Sequence, residues 1–203
     1  NRGGEKINIF VLDKNPFYSA MMMCDKHIPK MIIESAQMMG SALRRHGAVD
    51  DEMPLTEPKW VKAMDGSDTM WFIASPFKGG YHNHPCSIWT QQTRTNFQWL
   101  YHHALGLCYE YTLRYGKIHS SLPKLQQMWG LKHLIPEGEL TPFARAFNGN
   151  DHLKNEDDYS AVEAYRAYYF TKRFKRGDSL VMPWWEKGRP APYWWVNIQE
   201  ENV

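Results

Sequence analysis

Two short runs hold the side chains of this sequence best suited to chemistry: Cys24-Asp25-Lys26-His27-Ile28-Pro29-Lys30, and Gly80-Tyr81-His82-Asn83-His84-Pro85 with the segment after it that ends Glu110-Tyr111-Thr112-Leu113-Arg114-Tyr115-Gly116-Lys117. In the first run Lys26 and Lys30 stand at i, i+4, and His27, Lys30 and Glu34 form one helical stripe. A stripe of this kind can bind an anion and move a proton, because histidine titrates near neutrality and a lysine crowded by cations suits general-base or Schiff-base work. The same pattern also fits a solvated helix face. In the second run His82 and His84 form an H-x-H after a Gly-Gly turn. With His102 or His103 they could make a three-nitrogen metal site, and they equally fit a phosphate or base contact or a hydrogen-bonded loop. Glu110 and Arg114 at i, i+4 are an ordinary helix ion pair if exposed. Buried beside the first stripe, the carboxylate would stay ionised and stabilise an oxocarbenium-like sugar during cleavage of a glycosidic bond.

These groups need rigid elements. Residues 17–45 read as helical, broken or bent near Pro29, which lacks a backbone donor and disfavours helix at Ile28; Asp25 is placed to cap a fresh helix. Beyond Pro29, Ile28, Met31, Ile32, Met39 and Leu43 share one face, with His27, Lys30 and Glu34 on another. Gly47 ends this helix. A connection rich in Pro, Gly and Asp then runs to about residue 92, with small apolar clusters at Trp60-Val61 and residues 70–73. Residues 93–115 are the clearest helix, capped by Gly116, with Trp99, His103, Gly106, Glu110 and Arg114 along its second face. Further helices are expected at 122–129 and 157–175, the latter with Asp157 and Asp158 at its positive end and Lys172, Arg173 and Lys175 at its negative end. Residues 7–12 read as a short strand, and residues 183–195 as an extended Trp- and Pro-rich tail. The expected fold is mainly α: a compact helical core over residues 6–120, with residues 121–203 as a helical extension and tail packed on it.

The 203 residues suffice for one large domain. No apolar run approaches the roughly 20 residues of a membrane span, so no membrane partner is expected. Cys24, Cys86 and Cys108 are odd in number and lack C-x-x-C spacing, which argues against a disulfide framework or zinc ribbon and for a reducing cytoplasm. The net charge of +2 does not by itself indicate a polyanion partner. Asn1-Arg2-Gly3-Gly4 reads as a remnant ahead of a start near Lys6.

The arrangement resembles the phage pyrimidine-dimer DNA glycosylases of the endonuclease V type and their bacterial relatives. There a T-R-I-N-L segment precedes an R-E-L-P-R helix start; here Lys6-Ile7-Asn8-Ile9 precedes Lys26-His27-Ile28-Pro29-Lys30 at similar separation. The bacterial relatives carry G-Y-x-x-H-P and a helix ending E-x-x-x-R-G-Y, matched here by Gly80 to Pro85 and by Glu110 through Arg114-Tyr115-Gly116. The chain is also similar to phage proteins with a C-D-K-H-x-x-K-M run. The first resemblance covers residues 6–120. It implies a helical domain that binds DNA, flips a nucleotide and attacks with its N-terminal amine, aided by the glutamate of R-E-L-P-R. Here His27 stands at the glutamate position and Glu5 at that of the amine.

The resemblance thus implies a glycosylase-like enzyme acting on a damaged or modified base in DNA, in the cytoplasm, or in a host's cytoplasm for a phage-encoded protein, with no cofactor. In a hydrolytic version His27 orients or activates water, Lys26, Lys30 and Arg114 hold phosphates, and Glu110 stabilises charge at the sugar. Glu34, His82, His84, Arg94, His103 and Lys117 complete the expected substrate contacts. In a lyase version Lys26 or a liberated N-terminal amine forms the Schiff base. The stripes His27/Lys30/Glu34 and His103/Glu110/Arg114 are expected to face one cleft. Two other readings stand beside this one: a non-catalytic nucleic-acid or protein-binding module, and a metal-dependent hydrolase built on His82, His84 and His103.

Overall fold

The computed structural model describes residues 7–57, 61–69 and 74–196. Residues 1–6, with the expected start near Lys6 and Glu5, lie outside the described residues, as do Trp60 and the apolar cluster at 70–73. The fold is mainly helical. Helix α1 spans Pro16–Met22, α2 His27–Arg45, α3 Pro85–Gln92, α4 Arg94–Tyr115, α5 Leu122–Trp129 and α6 Ala161–Tyr169. Two short antiparallel hairpins complete it, β1 (Val61–Lys62) with β2 (Asp68–Thr69) and β3 (Phe174–Arg176) with β4 (Ser179–Val181).

Helix α4 is the central post, packed on α1 and α2 and flanked by α3 and α5. Thr93 caps its start by accepting the Asn96 N–H, and Gly116 ends it at φ +70°. Gly106 serves helix contact rather than ligand access: a Cβ there would stand 2.9 Å from that of Ala20 on α1. The chain breaks between α1 and α2 ahead of Pro29, which lies within the first turn of α2. Asp25 does not cap α2; its side chain is taken by Arg114 and by the Glu186 N–H.

Residues 7–12 are buried and extended without joining a sheet, so the expected strand is an extended strap. Asn8 fastens it, donating to the Ala146 carbonyl while its Oδ1 accepts from Tyr165 Oη. The expected 157–175 helix is shorter at both ends. Ser160 and Glu163 form a capping box that starts α6 at Ala161, and the chain leaves the helix after Tyr169 to enter β3. The long connection before α4 carries a short helix of its own, α3, with His84 as its cap and Pro85 in its first turn. The loop ahead of α3 is seated on α2 at two glycines: a Cβ on Gly79 (φ +74°) would fall 2.2 Å from the Ser41 nitrogen, and one on Gly40 2.6 Å from the Phe77 ring. No helix among the described residues is long and apolar enough to cross a membrane.

Candidate active site

His27 opens α2 and is 2% exposed. Its ring stacks on Phe10 of the strap at 4.6 Å and meets the edge of Phe174 of β3 at 4.9 Å. Nδ1 stands 3.0 Å from Tyr169 Oη, and the same oxygen accepts the Cys24 N–H at 2.8 Å. With one lone pair so engaged, the tyrosine proton goes to the imidazole nitrogen, a stronger acceptor than the nearby thiol. His27 therefore carries its own proton on Nε2, the ring nitrogen not engaged by Tyr169. Burial first, then Lys172 and Lys30, holds its pKa well below the usual histidine range. It is a neutral N–H donor.

His27 lines a narrow pocket of about 60 Å³ together with Asn8, Lys30, His84, Asn148 and Lys172. No Asp or Glu lines it. The wall opposite α2 comes from residues late in the chain, where Asn148 takes a left-handed backbone (φ +38°) ahead of Gly149. Two wider clefts adjoin the pocket. One shares His84 and Asn148 with it and reaches Tyr81 and His82; the other shares Lys30 and reaches Lys26, Arg173 and Lys175.

The remaining expected site residues are placed elsewhere or differently. Lys26 is exposed and lines the second cleft, not the pocket. Glu34 is buried on α2, on the stripe of His27 and Lys30. His82 Nδ1 lies 2.7 Å from Ser41 Oγ, and His84 Nδ1 accepts the Cys86 N–H. Arg94 binds the carbonyls of Lys132, His133 and Ile135 and pairs with Glu137, tying α4 to the chain after α5. Lys117 is exposed. His103 is buried, donates to the Pro16 carbonyl from Nδ1, and has its pKa lowered to about 4 by burial. Among the described residues no three His, Cys, Asp or Glu side chains converge as metal ligands.

The expected common cleft is not formed, because Glu110 and Arg114 are consumed by each other and by the chain around them. Arg114 donates to Glu110, to Asp25 and to the carbonyls of Met21 and Met23. Glu110, 0% exposed, accepts a fork of two 2.8 Å bonds from Arg189 of the tail. Two carboxylates and two guanidiniums thus neutralise one another inside the protein. Neither Glu110 nor Arg114 lines the His27 pocket. Burial raises the thiols of Cys24, Cys86 and Cys108 to about 11, 12 and 12, so none is a nucleophile at neutral pH.

Sequence comparison adds the deciding observation: the family model described as pyrimidine dimer DNA glycosylase matches residues 7–123. The chain belongs to this family. No curated protein and no solved structure matches it. The matched span runs from the strap through α1, α2 and α4 to the start of α5, and so contains Asn8, His27, Lys30 and His84 of the pocket. Asn148 and Lys172 fall outside it. Reading the sequence missed both, along with Tyr169 and Arg189. The run Lys172-Arg173-Phe174-Lys175-Arg176, four cations about one aromatic, was the available signal, absorbed into the expected helix end.

Proposed function

We propose that this protein is a DNA glycosylase that releases a damaged or modified base by hydrolysis, its pocket stabilising negative charge on the departing base. The observation that carries this reading is the neutral, N–H-presenting His27 in a pocket lined by Lys30 and Lys172 and by no carboxylate. A neutral imidazole beside cations favours an oxyanion and gives little to a cationic intermediate. In the step proposed, the C1′–N bond breaks with its electron pair leaving on the base. His27 Nε2–H donates to the base oxygen where charge gathers, water adds at C1′, and the proton lost by that water ends on the departed base. The same features make a poor iminium-forming lyase, which draws on a carboxylate where this chain has His27. Glu110, held by Arg114 and Arg189, takes no part. The protein would act on DNA in a reducing compartment, which suits three free, buried thiols.

Duplexes carrying pyrimidine dimers or modified pyrimidines should lose the base without strand cleavage and without a borohydride-trapped adduct. His27→Ala should slow release by roughly 100-fold. A trapped adduct would overturn the hydrolytic mechanism. Neither adduct nor release on any duplex, with DNA still bound, would leave the binding-module reading.

A further inference from the structure

The side chains that complete the pocket come from a part of the chain beyond the family match, and they continue outward along one groove. Lys172 lies just past α6, its Nζ 3.0 Å from Tyr168 Oη and 4.4 Å from the centre of that ring. It lines the pocket together with Lys30. Phe174 then anchors β3 by turning inward against His27 and Trp184. Side chains alternate along a strand, so Lys175 turns outward; Arg173, just before the strand, rests one Nη on the carbonyls of Phe170 and Lys172, and both side chains are exposed. They line the same cleft as Lys26 and Lys30. That cleft holds about 690 Å³ and is bordered by four cations and no carboxylate. In a chain of 24 cationic and 22 acidic residues, this separation of sign is local.

Resting on the glycosylase reading, we infer that residues 172–175 are the second half of the DNA site: Lys172 contacts the extruded nucleotide in the pocket, and Arg173 and Lys175 hold phosphates of the strand that leaves it, together with Lys26 and Lys30. The partner is the backbone of a duplex opened at one nucleotide. Phosphate contacts release counterions and position the strand without reading sequence, whereas a pocket lysine acts only on the flipped residue. The two parts therefore separate experimentally.

Binding of a labelled duplex to the full chain is measured by anisotropy over a series of salt concentrations, with base release followed in parallel. Arg173→Gln/Lys175→Gln should lower the slope of log affinity against log salt by about 1.8, two phosphates at about 0.9 each, and weaken intact and damaged duplexes alike, by roughly 10-fold. Lys175→Gln alone, at an exposed position, should remove about half of that slope change and guards against misfolding of the double variant. Lys172→Met should leave affinity for intact duplex unchanged and slow base release by at least 10-fold. If wild type binds and releases base while the double variant keeps the full salt slope and Lys172→Met keeps its rate, this inference is overturned and the glycosylase reading stands. If wild type binds no duplex at any salt, both fall.

Discussion

Tyr169 Oη accepts the Cys24 N–H and faces His27 Nδ1, so one hydroxyl fixes both the turn into α2 and the tautomer of the pocket histidine. The His27 ring cannot turn to offer Nδ1 elsewhere, because it is packed between Phe10 and Phe174. Tyr169→Phe removes the acceptor of the Cys24 N–H and the partner of Nδ1, leaving two buried polar groups unmet. A loss of about 2 kcal/mol in stability is expected from urea unfolding. The tautomer offers a readout that simple destabilisation would not move. Nitrogen NMR of the wild type should show His27 protonated at Nε2 and neutral well below the usual histidine range, and the variant should show a mixture. A wild-type spectrum with the proton on Nδ1 would remove the donor role assigned to His27.

At the scale of elements, the tail behaves as a clasp across the α1–α4 contact. Arg189 reaches the fully buried Glu110 from a segment with no regular periodicity, Trp185 Nε1 donates to the Met22 carbonyl, and the Glu186 N–H closes on Asp25. Removing Arg189 leaves Asp25 and Glu110 to share the single guanidinium of Arg114. Arg189→Ala should therefore cost about 3 kcal/mol, and Arg189→Ala/Glu110→Gln should recover much of it, since the double variant no longer buries an excess carboxylate. Equal destabilisation of single and double variants, measured by urea unfolding, would contradict the clasp. The Glu110–Arg114 spacing was legible as an ion pair in the sequence, but its partner 79 residues away was not. Local spacing reports what one helix presents and is silent on which distant charge it meets. Local pattern did better for α4, legible from its length and its Gly116 cap, and for α5, legible from its amphipathic face, whereas α3, short and with neither advantage, lay inside a polar connection.

For the whole molecule, the family-matched span supplies one side of the pocket and the later chain supplies the other, so the matched residues alone foretold half of the site. The strap shows why. Asn8 lies within the match, yet its amide and carbonyl oxygen are satisfied by Ala146 and Tyr165, which no motif pairs with it. This architecture also buries imidazoles that must stay neutral, and that sets the acid limit of the fold. Burial lowers His27 far below 6.5 and His103 to about 4. Below about pH 6.5 the unfolded chain takes up protons that the folded chain refuses, so stability present at neutral pH is lost as pH falls, by up to about 1.4 kcal/mol per pH unit for each histidine. For His103 the loss is spread between 6.5 and about 4 and amounts to roughly 3 kcal/mol. His103→Asn keeps a donor for the Pro16 carbonyl and does not titrate. In urea unfolding at a series of pH values from 7 to 4.5, this variant should show a shallower fall than wild type by about one proton's worth of slope, whatever its stability at pH 7. An unchanged slope would mean that His103 takes up its proton within the folded protein, and that the α1–α4 contact opens before the molecule unfolds.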